Sequence, residues 1–248
     1  MSSKQILRVN DKTDSYYIDV PGLFKINFKI AIIGKSEISG KTTIILNFLL
    51  RDKFYKKYFH GDDIFVVSNN HLDNKLKILA KEKEIPKANI MPFDEGRLEV
   101  LYEMLEDDFL LAVEDKKTPT PKLIIFDDVA YSGSLKNKTA GMVSKIVMNG
   151  RHAMISSIFT TQKYSLLSTA VRTNLTGLVC FGTNNKELEL ISEDFNYLKT
   201  KQDFREMFYE ATKNKNSFLA INMNKSVEDG RYMDTEFKPI IIKDPASS

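Results

Sequence analysis

Gly34-Lys35-Ser36-Glu37-Ile38-Ser39-Gly40-Lys41-Thr42-Thr43 follows directly on the apolar run Phe28-Lys29-Ile30-Ala31-Ile32-Ile33. A strand that runs into a glycine-bounded loop ending in Gly-Lys-Thr, and then into a helix, reads as a phosphate-binding loop. Successive backbone N–H groups in such a loop form a concave nest for anionic oxygens. The positive end of the following helix adds to that field. In this reading Gly34, Ser39, Gly40, Lys41, Thr42 and Thr43 bind the nucleotide. Lys41 reaches the β- and γ-phosphates, and the Thr42 hydroxyl ligates Mg²⁺.

The spacing departs from the usual pattern by one residue. Five residues, Lys35 through Ser39, separate the two glycines instead of four. Either the loop bulges near Ser36-Glu37, or Gly34 does a different job. A plain strand-to-helix turn that uses its glycines for geometry alone is the simpler alternative.

Working outward, four more apolar segments stand between polar stretches: residues 64–68, 123–126, 155–161 and 178–181. Continuous rather than alternating apolarity suits strands buried on both faces, as in a parallel sheet. Helical patterns lie between them, at 42–59, 72–83, 98–113 and 139–148, with Asp94 placed to cap the third. Strand and helix in alternation predict an α/β fold: a mostly parallel central sheet flanked by helices, with right-handed crossovers. Residues 186–198 and 202–212 read as two amphipathic helices. Residues 218–223 and 234–242 read as a β-hairpin, and 16–20 as an extra strand before the Pro21-Gly22 turn. The expected organisation is one domain over 1–248. It has an N-terminal extension (1–22), a phosphate-loop core (23–184) and a C-terminal helical and hairpin extension (185–248).

Leu123-Ile124-Ile125-Phe126-Asp127-Asp128 delivers two carboxylates to the end of a strand. In an open α/β sheet, that end shares the ligand-binding edge with the phosphate loop. Asp127 is then the candidate metal carboxylate, and Asp128 the group that orients or deprotonates an attacking water. A solvated turn is the alternative. The segment 155–161 runs into Gln162. If this strand lies between the loop strand and the acidic strand, the Gln162 amide can sense phosphate or position water. Arg151 precedes the same strand, where it serves either as a charge offered to a neighbouring subunit's site or as an exposed helix-end cation. His152 and Cys180 read as structural.

Composition narrows the classes. Lys and Arg number 36 against 33 Asp and Glu, a formal net charge of +3, which permits a nucleic-acid partner without arguing for one. A single cysteine excludes an internal disulfide. His60, His71 and His152 show no zinc-ligand spacing. No apolar run approaches the ~18 residues of a membrane span, and the first residues lack an apolar signal core. The expectation is a soluble intracellular protein with no membrane partner.

Gly40-Lys41-Thr42-Thr43, the strand ending in Asp127-Asp128, Gly150-Arg151-His152, Thr160-Thr161-Gln162 and Val171-Arg172-Thr173-Asn174 together resemble the FtsK–HerA superfamily. Within it, they resemble the poxvirus-type viral DNA-packaging ATPases. The resemblance implies a RecA-like core, ATP and Mg²⁺ as cofactors, and a homo-oligomeric ring of five or six subunits. It further implies double-stranded DNA as partner, driven into a preformed capsid through a portal or capsid vertex. The expected setting is the cytoplasm of an infected cell, with virion association. It assigns Lys41, Asp127, Asp128 and Gln162 to catalysis and Thr42 and Asp127 to the metal. Arg151 is the preferred trans-acting arginine, with Arg172 as second candidate. Asp128 stands where many relatives carry Glu. Lys136, Lys138 and Lys163 fall in loops placed to touch a DNA backbone. Two other readings remain open: a DNA pump for conjugation or repair, and a nucleotide-binding switch that hydrolyses little.

Overall fold

The five apolar runs become the centre of an eight-stranded sheet. The computed structural model describes residues 16, 18–35, 40–69, 74–129 and 141–242. Strands β1 (Lys29–Ile33), β2 (Ile64–Ser68), β4 (Lys122–Asp127), β5 (Ile155–Thr161) and β6 (Gly177–Phe181) match the expected segments to within a residue. The two-residue strand β3 (Ile90–Met91) pairs with β2; it is too short to carry a hydrophobic pattern and is not legible in the sequence. The strand order is β3-β2-β4-β5-β1-β6-β7-β8, where β7 is Phe218–Asn222 and β8 is Tyr232–Met233. Every pairing from β3 to β6 is parallel, while β7 and β8 add antiparallel at the far edge.

Alternation along each strand divides the core into two layers. Ile30 and Ile32 of β1 face helices α1 (Lys41–Leu50) and α2 (Asn74–Glu82). Ala31 and Ile33 face the opposite layer. That second layer holds α3 (Glu95–Glu114), α4 (Met142–Asn149), α5 (Thr169–Asn174), α6 (Asn185–Phe195) and α7 (Lys201–Ala211). Helices on both faces explain why the strands read as unbroken apolar runs. Asp94 caps α3 as expected, its carboxylate accepting from the Arg97 N–H at 2.9 Å. Thr200 and Asp203 close a reciprocal capping box on α7.

Three expected elements differ. The helix expected over 42–59 stops at Leu50, where Arg51 turns extended. The break returns Tyr55 and Phe59 to the sheet, their ring centroids 5.0 and 6.1 Å from that of Phe28. The Tyr55 hydroxyl then bonds both backbone groups of Phe24, accepting at 3.0 Å and donating at 2.9 Å. The hairpin's second arm is Tyr232–Met233 rather than 234–242, because the Ala220↔Met233 and Ile221↔Tyr232 register buries Tyr232 and Met233. Residues 18–20 form no strand; the Ile26 N–H bonds the Ile18 carbonyl across a turn instead. The expected bulge at Ser36-Glu37 lies outside the described residues, as do Ser39, Lys136 and Lys138.

Candidate active site

The phosphate-loop strand and the acidic strand end on one edge of the sheet with β5 between them, which meets the condition the sequence reading set. Register fixes the neighbours: Ile33 sits opposite Thr161, and Asp127 opposite Thr160. Gly34 extends the ladder by one step, its N–H donating to the Thr161 carbonyl at 3.1 Å. The Gly34 carbonyl accepts from Lys41 Nζ at 2.8 Å. Gly34 therefore ends the strand and anchors the lysine. Gly40 is left-handed, at φ 74°, and enters α1 with its carbonyl accepting from the Ile44 N–H. A side chain there would pay the left-handed penalty.

Lys41 feels both aspartates. Burial holds its ammonium below the usual lysine range, while the Asp128 and Asp127 carboxylates act to raise it. The strand order that sets β1 and β4 on either side of β5 places the lysine within electrostatic range of the acidic pair at one edge. Asp127 is buried, and its Oδ1 accepts from the Thr160 hydroxyl at 2.6 Å. The Asp128 N–H is shared between the Thr160 carbonyl (3.2 Å) and the Thr160 Oγ1 (3.0 Å). Asp128 itself is left-handed at φ 53°. Asp tolerates that region better than longer side chains do. Its Oδ1 is buried without a hydrogen-bond partner among the described residues. A buried carboxylate oxygen left open, one residue from the buried Asp127 carboxylate, is an oxygen donor of the kind a hard divalent cation takes.

Gln162 directly follows β5 at this edge and is half-buried. Thr43 lies at the start of α1, its hydroxyl accepting from Lys75 Nζ at 2.8 Å. Arg151 is not at this edge. It is exposed in the turn before β5, at the amino end of the sheet, with its Nε on His152 Nε2 at 3.4 Å. Seven residues of strand separate the two ends, roughly 20 Å. Arg172 is tied into its own chain by Asp194 at 3.5 Å and by the Tyr164 ring. Lys163 is exposed. Cys180 lies in the core, where burial pushes its thiol well above the usual range.

Sequence reasoning missed Thr160, whose hydroxyl organises both aspartates. The signal was available: a threonine at the buried end of the strand expected to neighbour the acidic one.

A Gly-Lys-Thr loop behind a central parallel strand, with carboxylates ending the second strand over, defines a P-loop NTPase. A family model described as Poxvirus A32 protein matches residues 18–238, and the chain belongs to that family. The resemblance to poxvirus-type packaging ATPases read from the sequence is thus borne out. The chain is 30% identical over 127 residues to nucleoside-triphosphatase THEP1 of Sulfolobus acidocaldarius, covering 48% of this chain and 70% of the relative. Its fold resembles the genome packaging NTPase B204 of Sulfolobus turreted icosahedral virus 2 in complex with AMPPCP. That match has a TM-score of 0.55 and 17% identity, covering 80% of this chain and 93% of the other. B204 of Sulfolobus turreted icosahedral virus, a DNA-packaging ATPase, matches with TM-score 0.53 and 20% identity, covering 80% and 94%. Among the described residues no helix is long and apolar enough to cross a membrane.

Proposed function

We propose that this chain is the ATP-hydrolysing subunit of a ring motor that moves double-stranded DNA, packaging a viral genome into a preformed capsid. Membership of the A32 family supports the viral setting, as do the names of the B204 relatives. The observation that carries the reading is the meeting of Lys41 with Asp127 and Asp128 at one sheet edge.

In this reading the Gly40-Lys41-Thr42-Thr43 turn, with Gly34 and Ser39, cradles the phosphates. Thr42 and Asp127 hold Mg²⁺, which when bound neutralises charge on the β- and γ-oxygens. Thr160 keeps the Asp127 carboxylate turned to the site. Asp128 offers its open oxygen to a water proton as that water attacks the γ-phosphorus. The bond to the leaving β-phosphate oxygen breaks, and ADP and phosphate depart. Gln162 reports the γ-phosphate along β5. Arg151, remote from its own site and exposed, serves the neighbouring subunit, as an arginine worth roughly 10³–10⁵ in rate elsewhere. Arg172, held by Asp194, is the weaker candidate. A pentameric or hexameric ring would multiply a few lysine contacts to DNA, Lys163 among them, and dock on a capsid or portal vertex.

The test is steady-state ATP turnover with and without duplex DNA in wild type, Asp128→Asn and Arg151→Ala. DNA-stimulated turnover that both substitutions abolish is the expected result. Turnover indifferent to DNA removes the motor; turnover that survives Arg151→Ala removes the trans arginine.

A further inference from the structure

Thr43, in the first turn of α1, is touched from another helix. Lys75, in the first turn of α2, donates from Nζ to the Thr43 hydroxyl at 2.8 Å across 32 positions of sequence. Strand order puts it there. β2 lies beside β4 with Ser68 opposite Asp127, so the chain leaves β2 at the edge where the acidic pair stands. α2 starts from that edge in the same layer as α1, with Leu76 and Leu79 packed into the core that holds Ile44 and Phe48. The sequence neighbour of Lys75 is thus anchored, while the lysine itself is exposed at the rim of the phosphate loop.

Neither helix explains this arrangement by itself. Among the described residues α2 has no acid in its first turn, and Lys75 sits near the positive end of its own helix dipole, where a cation gains nothing from that helix. α1 has no side-chain cap and no acid in its first turn among the described residues. The N–H groups of that turn have no acceptor inside the helix. An anion at this point gives both features a use: it takes the open N–H donors, and it attracts a lysine that its own helix disfavours. Lys41 is one cation facing the Asp127 and Asp128 carboxylates. A second lysine beside the helix start adds the positive charge that a polyphosphate calls for.

We propose that Lys75 is a further nucleotide-binding residue, and that its ammonium takes an oxygen of the α-phosphate. Lys41 reaches the β- and γ-phosphates, and Thr42 the metal bound to them. Thr43, one step further along the helix, is left with the α-phosphate, and Lys75 is already in hydrogen-bonding contact with Thr43. An ammonium has three donors, so it keeps the hydroxyl while it takes a phosphate oxygen. The inference rests on the phosphate-loop reading above. The α-phosphate changes no bond when the γ-phosphate is cleaved, so Lys75 holds substrate, transition state and product diphosphate alike.

Binding measurements separate this role from a structural tie between α1 and α2. Lys75→Met keeps the stem and removes the charge at an exposed position, so the nucleotide-free urea midpoint should stay at the wild-type value. Affinity for ADP and for ATPγS should fall by the same factor, about tenfold, the lower end of the range for a hydrogen bond to a charged group. KM for ATP should rise about tenfold while kcat changes by less than about threefold. Added salt should narrow the gap between Lys75→Met and wild type, because ions screen a contact at an exposed rim. Lys75→Arg should recover most of the affinity. Affinity within about twofold of wild type for both ligands overturns the proposal. A loss confined to ATPγS puts the charge on the γ-phosphate and overturns the α-phosphate assignment. A lowered nucleotide-free midpoint, with a loss of affinity that salt does not change, reduces Lys75 to the structural tie and overturns it as well. A wild type that binds neither ligand is a different failure: it removes the phosphate-loop reading itself.

Discussion

Replacing Thr160 by valine isolates the interaction that holds the acidic pair. Thr160 is 2% exposed, and valine has nearly its shape, so the change opens no cavity and forces no clash. The Asp128 N–H keeps the Thr160 carbonyl at 3.2 Å. What disappears is the 2.6 Å hydroxyl donation to a buried carboxylate oxygen of Asp127, together with the 3.0 Å acceptance by Thr160 Oγ1 from the Asp128 N–H. A hydrogen bond to a charged group contributes about 1.5–3 kcal/mol. A loss of ~2 kcal/mol, with a urea slope near 3 kcal/mol/M for a chain of this size, moves the unfolding midpoint down by ~0.7 M. Thr160→Ser, which keeps the hydroxyl, should lose less than half of that. Turnover should fall in Thr160→Val together with stability, since Asp127 is released from the orientation proposed for metal binding. A double-mutant cycle with Asp127→Asn should give a coupling above ~1 kcal/mol. An unchanged midpoint in Thr160→Val, with no coupling in the cycle, would refute the claim that Thr160 organises the site.

Other substitutions follow from the same structure. Gly177→Ala places a methyl 2.4 Å from a ring carbon of the buried Phe24; a loss of ~1–3 kcal/mol is expected by denaturant unfolding, and wild-type stability would show that the contact relaxes freely. Asp128→Glu forces a longer side chain into a backbone at φ 53° and should lose about 1 kcal/mol, whereas Asp128→Asn should keep its stability and lose turnover; equal midpoints for the two would remove the backbone argument. Lys122→Met leaves Asp63, its 2.8 Å partner, charged in a site where the two side chains are 16% and 10% exposed. That should cost roughly 3 kcal/mol, with recovery in the double variant Asp63→Leu/Lys122→Met; absence of recovery would mean that packing, not charge, is at stake.

The sequence located the strands because each is a local event. Four to seven consecutive apolar residues between polar ones mean burial on both faces wherever the strand ends up. It also placed the Gly40-Lys41-Thr42 turn and the Asp127-Asp128 pair, since each motif is contiguous. It overran where long-range contacts set the limit. The helix expected to reach residue 59 ends at Leu50 because Tyr55 and Phe59 are drawn to Phe28 and Phe24. The hairpin arm fell on the wrong residues because the partner of β7 is chosen by burial of Tyr232, not by local pattern.

Sequence alone determined the five central strands, the phosphate loop and the acidic pair, all properties of short windows with a readable period. Only the tertiary structure decided that β5 lies between β1 and β4. From that order come Thr160 against Asp127, Gln162 beside the loop, and Lys29 beside Ser157 at the opposite edge. Lateral strand order joins residues as far apart in sequence as Lys29 and Ser157. No window of sequence carries that information; it emerges when two helical layers bury both faces of one sheet.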